Sequence, residues 1–162
     1  DLLNVAQLEE GKFGYQFQNT DLLGFLDKLL ADALPIAKEY KVNLYFERPS
    51  EKEIIVSMDS QKLGLAVSNL VDNAIKYNVP NGQVTVGVGK KDNMVEVSIK
   101  DTGVGIPEED LPNLFTKFFR AKNVTKFSVS GSGLGLYLVK NIIKEHAKIP
   151  SETIFITSFL AW

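Results

Sequence analysis

The chain has no cysteine and a single histidine among its 162 residues. Without a thiol there is no disulfide, no thiolate nucleophile and no zinc–thiolate site, and one histidine is too few for a histidine metal cluster. No stretch approaches the ~20 consecutive apolar residues of a membrane-spanning helix. Basic residues form no block, and 18 Lys+Arg against 20 Asp+Glu leave a formal net charge of -2. A nucleic-acid partner is therefore not expected. The remaining composition, 44% hydrophobic and 23% charged, is that of one ordinary globular domain with a sizeable core. Beginning on Asp1 rather than methionine, the chain is expected to be a piece of a longer one.

The most informative stretch runs from Gly64 to Tyr77. Leu63, Val67, Leu70 and Ala74 follow the three-and-four spacing of one buried helical stripe. Asparagine is a poor helix former, yet Asn69 and Asn73 stand in the middle of this pattern. At roughly 100° per residue, Asn69, Asn73 and Lys76 share a narrow arc beside the stripe. Two amides and an ammonium on one helix face can serve a metal ion and a polyphosphate. A solvated polar face is the bland alternative, and the helix alone does not decide between them.

Elsewhere the pattern predicts a short helix over Asp1–Glu10, with Leu2, Leu3, Ala6 and Leu8 inward and Gly11 as its stop. Tyr15–Gln18 reads as a strand. Thr20 or Asn19 is expected to cap a helix from Asp21 to about Tyr40, burying Leu22, Phe25, Leu26, Leu29, Leu30, Ala33, Ile36 and Ala37. Pro35 within it predicts a kink or break. Strands are expected at Val42–Glu47 and Glu53–Ser57, around Arg48-Pro49-Ser50, before Asp59 or Ser60 starts the asparagine helix. Pro80-Asn81-Gly82 and Asp92-Asn93 are turn signals bounding two alternating runs, Val84/Val86/Val88 and Val95/Val97/Ile99, which predict an antiparallel hairpin. Pro107-Glu108-Glu109 opens a short helix in an irregular segment, Thr102–Ser130, whose length and bordering glycines predict a lid. A helix over Leu134–Glu145 buries Leu136 or Leu138, Val139, Ile142 and Ile143, and Ile154–Phe159 is a last strand. The fold class is α+β: a two-layer sandwich with helices on one face of a mixed, mostly antiparallel sheet.

Two glycine motifs carry chemistry. Asp101-Thr102-Gly103-Val104-Gly105 follows a strand directly, placing a carboxylate beside backbone without side chains, where a flat base with an exocyclic amine can approach. Gly131-Ser132-Gly133-Leu134-Gly135-Leu136 opens a helix whose free N–H groups can cradle phosphate. It lacks the third glycine of the Rossmann fingerprint and any Walker lysine. Phe115, Phe118 and Phe119 have helical spacing that fits core packing as well as ligand contact.

Taken in order, Asn69-x-x-x-Asn73-Ala-x-Lys76-Tyr77, Asp101-x-Gly-x-Gly-Ile106, Phe115-Thr116-Lys117-Phe118-Phe119-Arg120 and Gly131-Ser132-Gly133-Leu134-Gly135-Leu136 resemble the N, first glycine, F and second glycine boxes of the catalytic domain of bacterial sensor histidine kinases. The resemblance spans about Asp1 to His146. It implies the Bergerat ATP-binding fold shared with gyrase-, Hsp90- and MutL-type ATPases, with ATP and Mg²⁺ as ligands. It further implies that Asp101 binds the adenine amine, that Asn73 ligates the metal and that Asn69 positions the metal or its waters. Lys76, Tyr77 and Arg120 would hold phosphates or sugar, Asn69, Lys76 and Arg120 forming the catalytic set. Gly103 and Gly105 would hinge a lid whose far end is Gly131–Gly135. Ile106, Phe119, Ser132, Leu134 and Leu136 complete the implied nucleotide contacts. The F box packs the lid and touches the neighbouring helical domain in that family.

The related ATPases use a glutamate at position 69 to activate water. An amide takes up no proton, so Asn69 favours transfer to a supplied acceptor over hydrolysis. In the family the phosphoaccepting histidine stands on a separate dimerisation domain. Residues 1–12 resemble the tail of that domain's second helix with its hinge, and residues 13–162 the catalytic domain. His146 matches a histidine of the family that is read here as structural. The implied partners are that dimerisation domain and, through the full-length protein, a response regulator. The location implied is cytoplasmic, with a parent protein open to inner-membrane anchoring. Other readings are a nucleotide-binding or docking module without activity and a Bergerat-fold ATPase. After His146 the chain departs from the pattern: the penultimate strand looks shortened or absent, and Phe159, Leu160 and Trp162 are expected as an apolar tail.

Overall fold

The computed structural model describes residues 2–124, 131–149 and 153–159. Its elements are α1 (Leu2–Glu9), β1 (Gln18–Asp21), α2 (Leu22–Glu39), β2 (Asn43–Glu47), β3 (Ile55–Met58), α3 (Ser60–Lys76), β4 (Gln83–Lys91), β5 (Met94–Asp101), a 3₁₀ helix (Glu108–Asn113), α4 (Gly135–His146) and β6 (Thr153–Phe159). Four strands form a mixed sheet in the order β2-β4-β5-β6. The expected hairpin β4–β5 is antiparallel at its centre, and β2 and β6 flank it in parallel. Val84, Val86, Val95, Val97 and Ile99 are buried on one face of this hairpin. Against the sheet α2 packs on β2, α3 on β4 and β5, and α4 on β6. This is the two-layer α+β arrangement that separate runs of strand and helix period predict.

Several boundaries differ from the sequence pattern for identifiable reasons. In α1, Val5 is buried and Leu8 packs on the core, whereas Leu2, Leu3 and Ala6 face outward; only one narrow face of this short helix meets the domain. The strand expected at Tyr15–Gln18 begins at Gln18 instead and pairs with β3, Gln18 opposite Met58. Upstream, the Gln16 N–H donates to Asp59 Oδ2 at 2.7 Å, so a side chain takes the place of a strand ladder. The cap of α2 is Asp21, not Thr20 or Asn19: its carboxylate accepts from Leu23 N at 3.2 Å and Gly24 N at 3.0 Å. The helix also runs unbroken past Pro35. Pro35 and Ala31 are both exposed, so water can serve the carbonyl that proline leaves without its helical donor. Leu23, absent from the predicted stripe, is fully buried. The strands around Arg48-Pro49-Ser50 belong to different sheets, β2 beside β4 and β3 beside β1. One strand follows α4 among the described residues, and Leu160 and Trp162 lie outside them.

His146 is 2% exposed at the end of α4. Its Nε2 accepts the backbone N–H of Asp59 at 3.1 Å and its Nδ1–H donates to Ile142 O at 2.9 Å. Asp59 is the N-cap of α3, taking the N–H groups of Gln61 and Lys62 on Oδ1. The imidazole therefore joins the C-terminus of α4 to the N-terminus of α3, as a neutral ring with one donor and one acceptor nitrogen. Phe17 and Tyr15 meet it edge-on, with centroids 5.0 and 6.1 Å away. The Tyr15 hydroxyl is buried without a hydrogen-bond partner among the described residues. Burial, with the Glu145 and Asp59 carboxylates nearby, pushes its pKa up to about 12.

Two outcomes follow for stability. Replacing His146 by alanine strands the Asp59 N–H and leaves a cavity, which should cost about 2–4 kcal/mol in urea unfolding; an unchanged midpoint would remove the staple from the fold's support. Tyr15→Phe should be neutral or stabilising near neutral pH. The folded-state pKa of Tyr15 lies above the usual 10.0, so the unfolded chain ionises first and stability falls as pH rises from about 10 to about 12. Urea unfolding across that range should show a shallower alkaline loss in the phenylalanine variant than in the parent.

Candidate functional site

One cavity of about 400 Å³ opens along α3, a size that suits a small-molecule ligand. Asn69, Asn73 and Lys76 all face it, as the helical arc predicts, together with Tyr77 at the C-cap. The Asn69 amide is oriented by its own helix, Nδ2 donating to Leu65 O at 2.8 Å. Ser68 and Asp72 line the same wall. The Lys76 ammonium lies 3.6 Å from Asp72, so the cation is paired within its helix. Asp72 stands outside the residues that the sequence pattern singles out, although its four-residue spacing to Lys76 fits a helical ion pair.

Asp101 closes β5 and faces the cavity. Its Oδ1 accepts the Gly103 N–H at 2.7 Å, which turns the chain sharply off the strand. A Cβ at Gly103 would stand 2.6 Å from Tyr77 O. Glycine is required there by the backbone of α3, and Val104 N donates to that same carbonyl at 3.0 Å. Gly103 itself does not line the cavity, whereas Gly105, at φ +67, and Ile106 do.

The second glycine box is bound tightly on two sides. Gly133 has φ +71, and a Cβ there would fall 2.7 Å from the Phe118 backbone. Phe118, itself at φ +63, donates its N–H to Gly133 O at 3.0 Å. At Gly135 a Cβ would meet Asn69 Oδ1 at 2.5 Å. The F box and the asparagine helix thus both press on this loop where side chains are missing. Gly131, Ser132, Gly133, Gly135 and Leu136 line the cavity, while the Leu134 side chain is buried in the core. Of the aromatic run, Phe119 lines the cavity, Phe115 lines an adjoining apolar groove, and Phe118 is exposed. Arg120 lines the cavity beside Ala121 and Val124, two residues whose apolar character gave no signal in the sequence.

Position along α3 orders these parts. Gly135, where α4 starts, abuts Asn69; the glycine turn after Asp101 abuts Tyr77. Eight residues of helix separate the two points, about 12 Å at 1.5 Å each. One end of the cavity therefore offers a helix N-terminus, which favours an anion, and the other a carboxylate beside a glycine turn. A divalent ion at the first end would find carboxamide oxygens. Among the described residues no group of three His, Cys, Asp or Glu gathers for a metal, so Mg²⁺ fits only with phosphate and water completing its shell.

A family model described as "Histidine kinase-, DNA gyrase B-, and HSP90-like ATPase" matches residues 58–158, from the end of β3 into β6. The sensor histidine kinase WalK of Bacillus subtilis is 27% identical over 148 residues, which are 90% of this chain and 24% of that protein. The solved structure of the mycobacterial sensor histidine kinase MprB is 31% identical with a TM-score of 0.67, covering 81% of this chain and 80% of that one. Full-length ShkA in complex with AMPPNP superposes with a TM-score of 0.76 at 23% identity, over 90% of this chain and 29% of that one, a likeness of fold. The chain spans at most 25% of the length of these curated relatives. By its family match and its likeness to MprB, the chain belongs to the histidine kinase-, DNA gyrase B- and HSP90-like ATPases, on their sensor histidine kinase branch.

Proposed function

We propose that this chain is the ATP-binding catalytic domain of a sensor histidine kinase, donating the γ-phosphoryl group of ATP to a histidine on a separate dimerisation domain. The observation that carries the reading is the polarity of the cavity along α3: a carboxylate and glycine turn at the Tyr77 end, an α4 N-terminus and the Asn69 carboxamide at the other, with Asn73 midway between them. That spacing suits a purine at one end and a triphosphate at the other. Asp101 accepts from the adenine amine, with Ile106 and Gly105 beside the base. Lys76, Tyr77 and Arg120 hold phosphate or sugar, and the N–H groups opening α4 face the phosphates. Asn73, helped by Asn69, would hold Mg²⁺, which would supply positive charge to offset that of the phosphates.

In the transfer, an imidazole nitrogen of the acceptor bonds to the γ-phosphorus as the bond to the β,γ-bridging oxygen breaks, and ADP leaves with that electron pair. Little covalent work falls to the protein; positioning and charge stabilisation dominate. Asn69 cannot act as a base toward water, which favours the kinase over a hydrolase. Residues 1–12 are the tail of a dimerisation helix and its hinge; the ion pair between Glu9 of α1 and Lys117 of the F box supports a direct link from that helix to the site. A response regulator would meet the domain through the parent protein. No helix among the described residues is long and apolar enough to cross a membrane.

The deciding experiment is calorimetric titration with ATP, with and without Mg²⁺, followed by transfer to a supplied dimerisation domain. Asp101→Asn should weaken ATP binding by about tenfold or more, the scale of a hydrogen bond to a charged group. Asn73→Ala should abolish the Mg²⁺ dependence while leaving most adenosine affinity. Binding unchanged in both variants would end the assignment.

The chain alone should not label itself. His146 is buried with both ring nitrogens engaged, and it ends the helix whose start faces the phosphates, about 17 Å away along the axis. Incubation with labelled ATP and Mg²⁺ should leave it unmodified; acid-labile phosphate on His146 would overturn both the structural role of that residue and the need for a second domain.

A further inference from the structure

Two polar side chains outside the cavity hold its wall in place. Asn123 donates from Nδ2 to Gly105 O at 2.9 Å and reaches Val104 O at 3.5 Å. Its Oδ1 is buried and accepts no hydrogen bond among the described residues. Asp110 lies on the 3₁₀ helix and is 3% exposed. Its Oδ2 accepts the Lys122 N–H at 2.9 Å, while the Lys122 ammonium pairs with exposed Glu109 at 2.8 Å. Between these anchors runs a tight turn closed by Val124 N donating to Ala121 O at 3.2 Å. Ala121 and Val124 are 6% and 8% exposed and, with Arg120, form part of the cavity lining.

We propose that Asp110 and Asn123 are positioning residues of the nucleotide site, clamping the Ala121–Val124 turn between the 3₁₀ helix and the first glycine turn so that Arg120 is held at the cavity. This rests on the nucleotide-binding reading above and deepens it. Both anchors engage backbone: Asn123 takes the carbonyls of Val104 and Gly105, and Asp110 takes the amide of Lys122. Each end of the clamp is thus independent of what side chain its partner carries. Gly105 adjoins Ile106 in the cavity lining, so Asn123 ties the base side of the cavity to the Arg120 side. Burying a carboxamide with one oxygen unsatisfied costs free energy. Asn123 nevertheless spends its donor on the glycine turn, and that is the interaction the substitutions below remove. Asp110 acts through the same turn from the opposite side. Neither residue lines the cavity, so each acts on ligand through Arg120, Ala121 and Val124.

The test combines amide exchange on the ligand-free protein with calorimetric titration of ATP and Mg²⁺. In Asn123→Ala and Asp110→Ala, exchange at Ala121–Val124 should rise about tenfold while the amides of α3 keep their protection. The ATP dissociation constant should rise by about tenfold, the scale of one buried hydrogen bond. Asn123→Asp, which turns the donor into a carboxylate facing two carbonyls, should match or exceed the alanine variant. Asp110→Asn keeps an acceptor oxygen and should retain most of the affinity. Because both residues secure one turn, the double alanine variant should lose little more than the weaker single one. ATP binding by the parent with unchanged affinity and exchange in the alanine variants overturns the clamp alone. Protection lost evenly across the whole domain also overturns it, since the residues would then be general supports. A parent that binds no ATP overturns the nucleotide reading and, with it, the clamp's role in binding.

Discussion

The antiparallel contact between α3 and α4 is the constraint on which the site depends. It is pinned at two points. At one, the His146 ring receives the Asp59 N–H; at the other, Gly135 meets the Asn69 carboxamide with no room for a Cβ. Ten residues separate these points on α3 and eleven on α4, about 15 and 17 Å. The near equality of the two lengths means that neither helix can slide without breaking a pin. Between the pins, Leu63, Val67 and Leu70 of α3 and Leu138, Val139 and Ile142 of α4 belong to one buried cluster. The apolar cluster supplies the bulk of the stabilisation, while the two polar contacts set the register.

The loops inherit their positions from this pair. Because α4 must begin at Gly135, the glycine loop before it lies over the asparagine face, and Phe118 is bound to Gly133 by a hydrogen bond in a left-handed conformation. That turn delivers Phe119 and Arg120 to the cavity and leaves Phe118 exposed. At the far end of α3, the Tyr77 carbonyl receives Val104 N and excludes any side chain at Gly103. Glycines 103, 133 and 135 thus serve close backbone packing, and the cavity is a consequence of that packing. Gly133 and Gly135 also line the cavity, so at those two positions close packing and a bare ligand-facing surface coincide.

The same packing joins α1 to the site. Lys117 sits over the Tyr137 ring, 5.6 Å from its centroid, and pairs with Glu9. An exposed ion pair contributes little to stability. Its place matters more: it touches α1, the F box and α4 at once. A shift of α1 would therefore be felt first at the segment that carries Arg120.

Much was legible in the residue order. Periodicity identified the helices and the central hairpin because burial on one face imposes period 3.6 or 2 on the sequence. The shared arc of Asn69, Asn73 and Lys76 followed from helical geometry alone, and the four ordered boxes pointed to the family. What the sequence could not decide was any contact made between distant segments. The cap of α2, the start of β1 and the separation of β2 from β3 depend on which backbone groups find partners elsewhere: Asp21 also accepts from Ile54, and Gln16 donates to Asp59. Asp110 and Asn123 look like ordinary loop residues until the fold brings them to backbone atoms 12 and 18 positions away. A place at a helix end marks His146 as structural, but its partner, the N–H of the residue that caps α3, lies 87 residues away. Local propensity and periodicity are properties of neighbouring residues, so the chain by itself determined its elements and the chemistry they carry. The pairing of buried polar groups is satisfied only across the whole structure, so the tertiary fold alone decided how those elements meet.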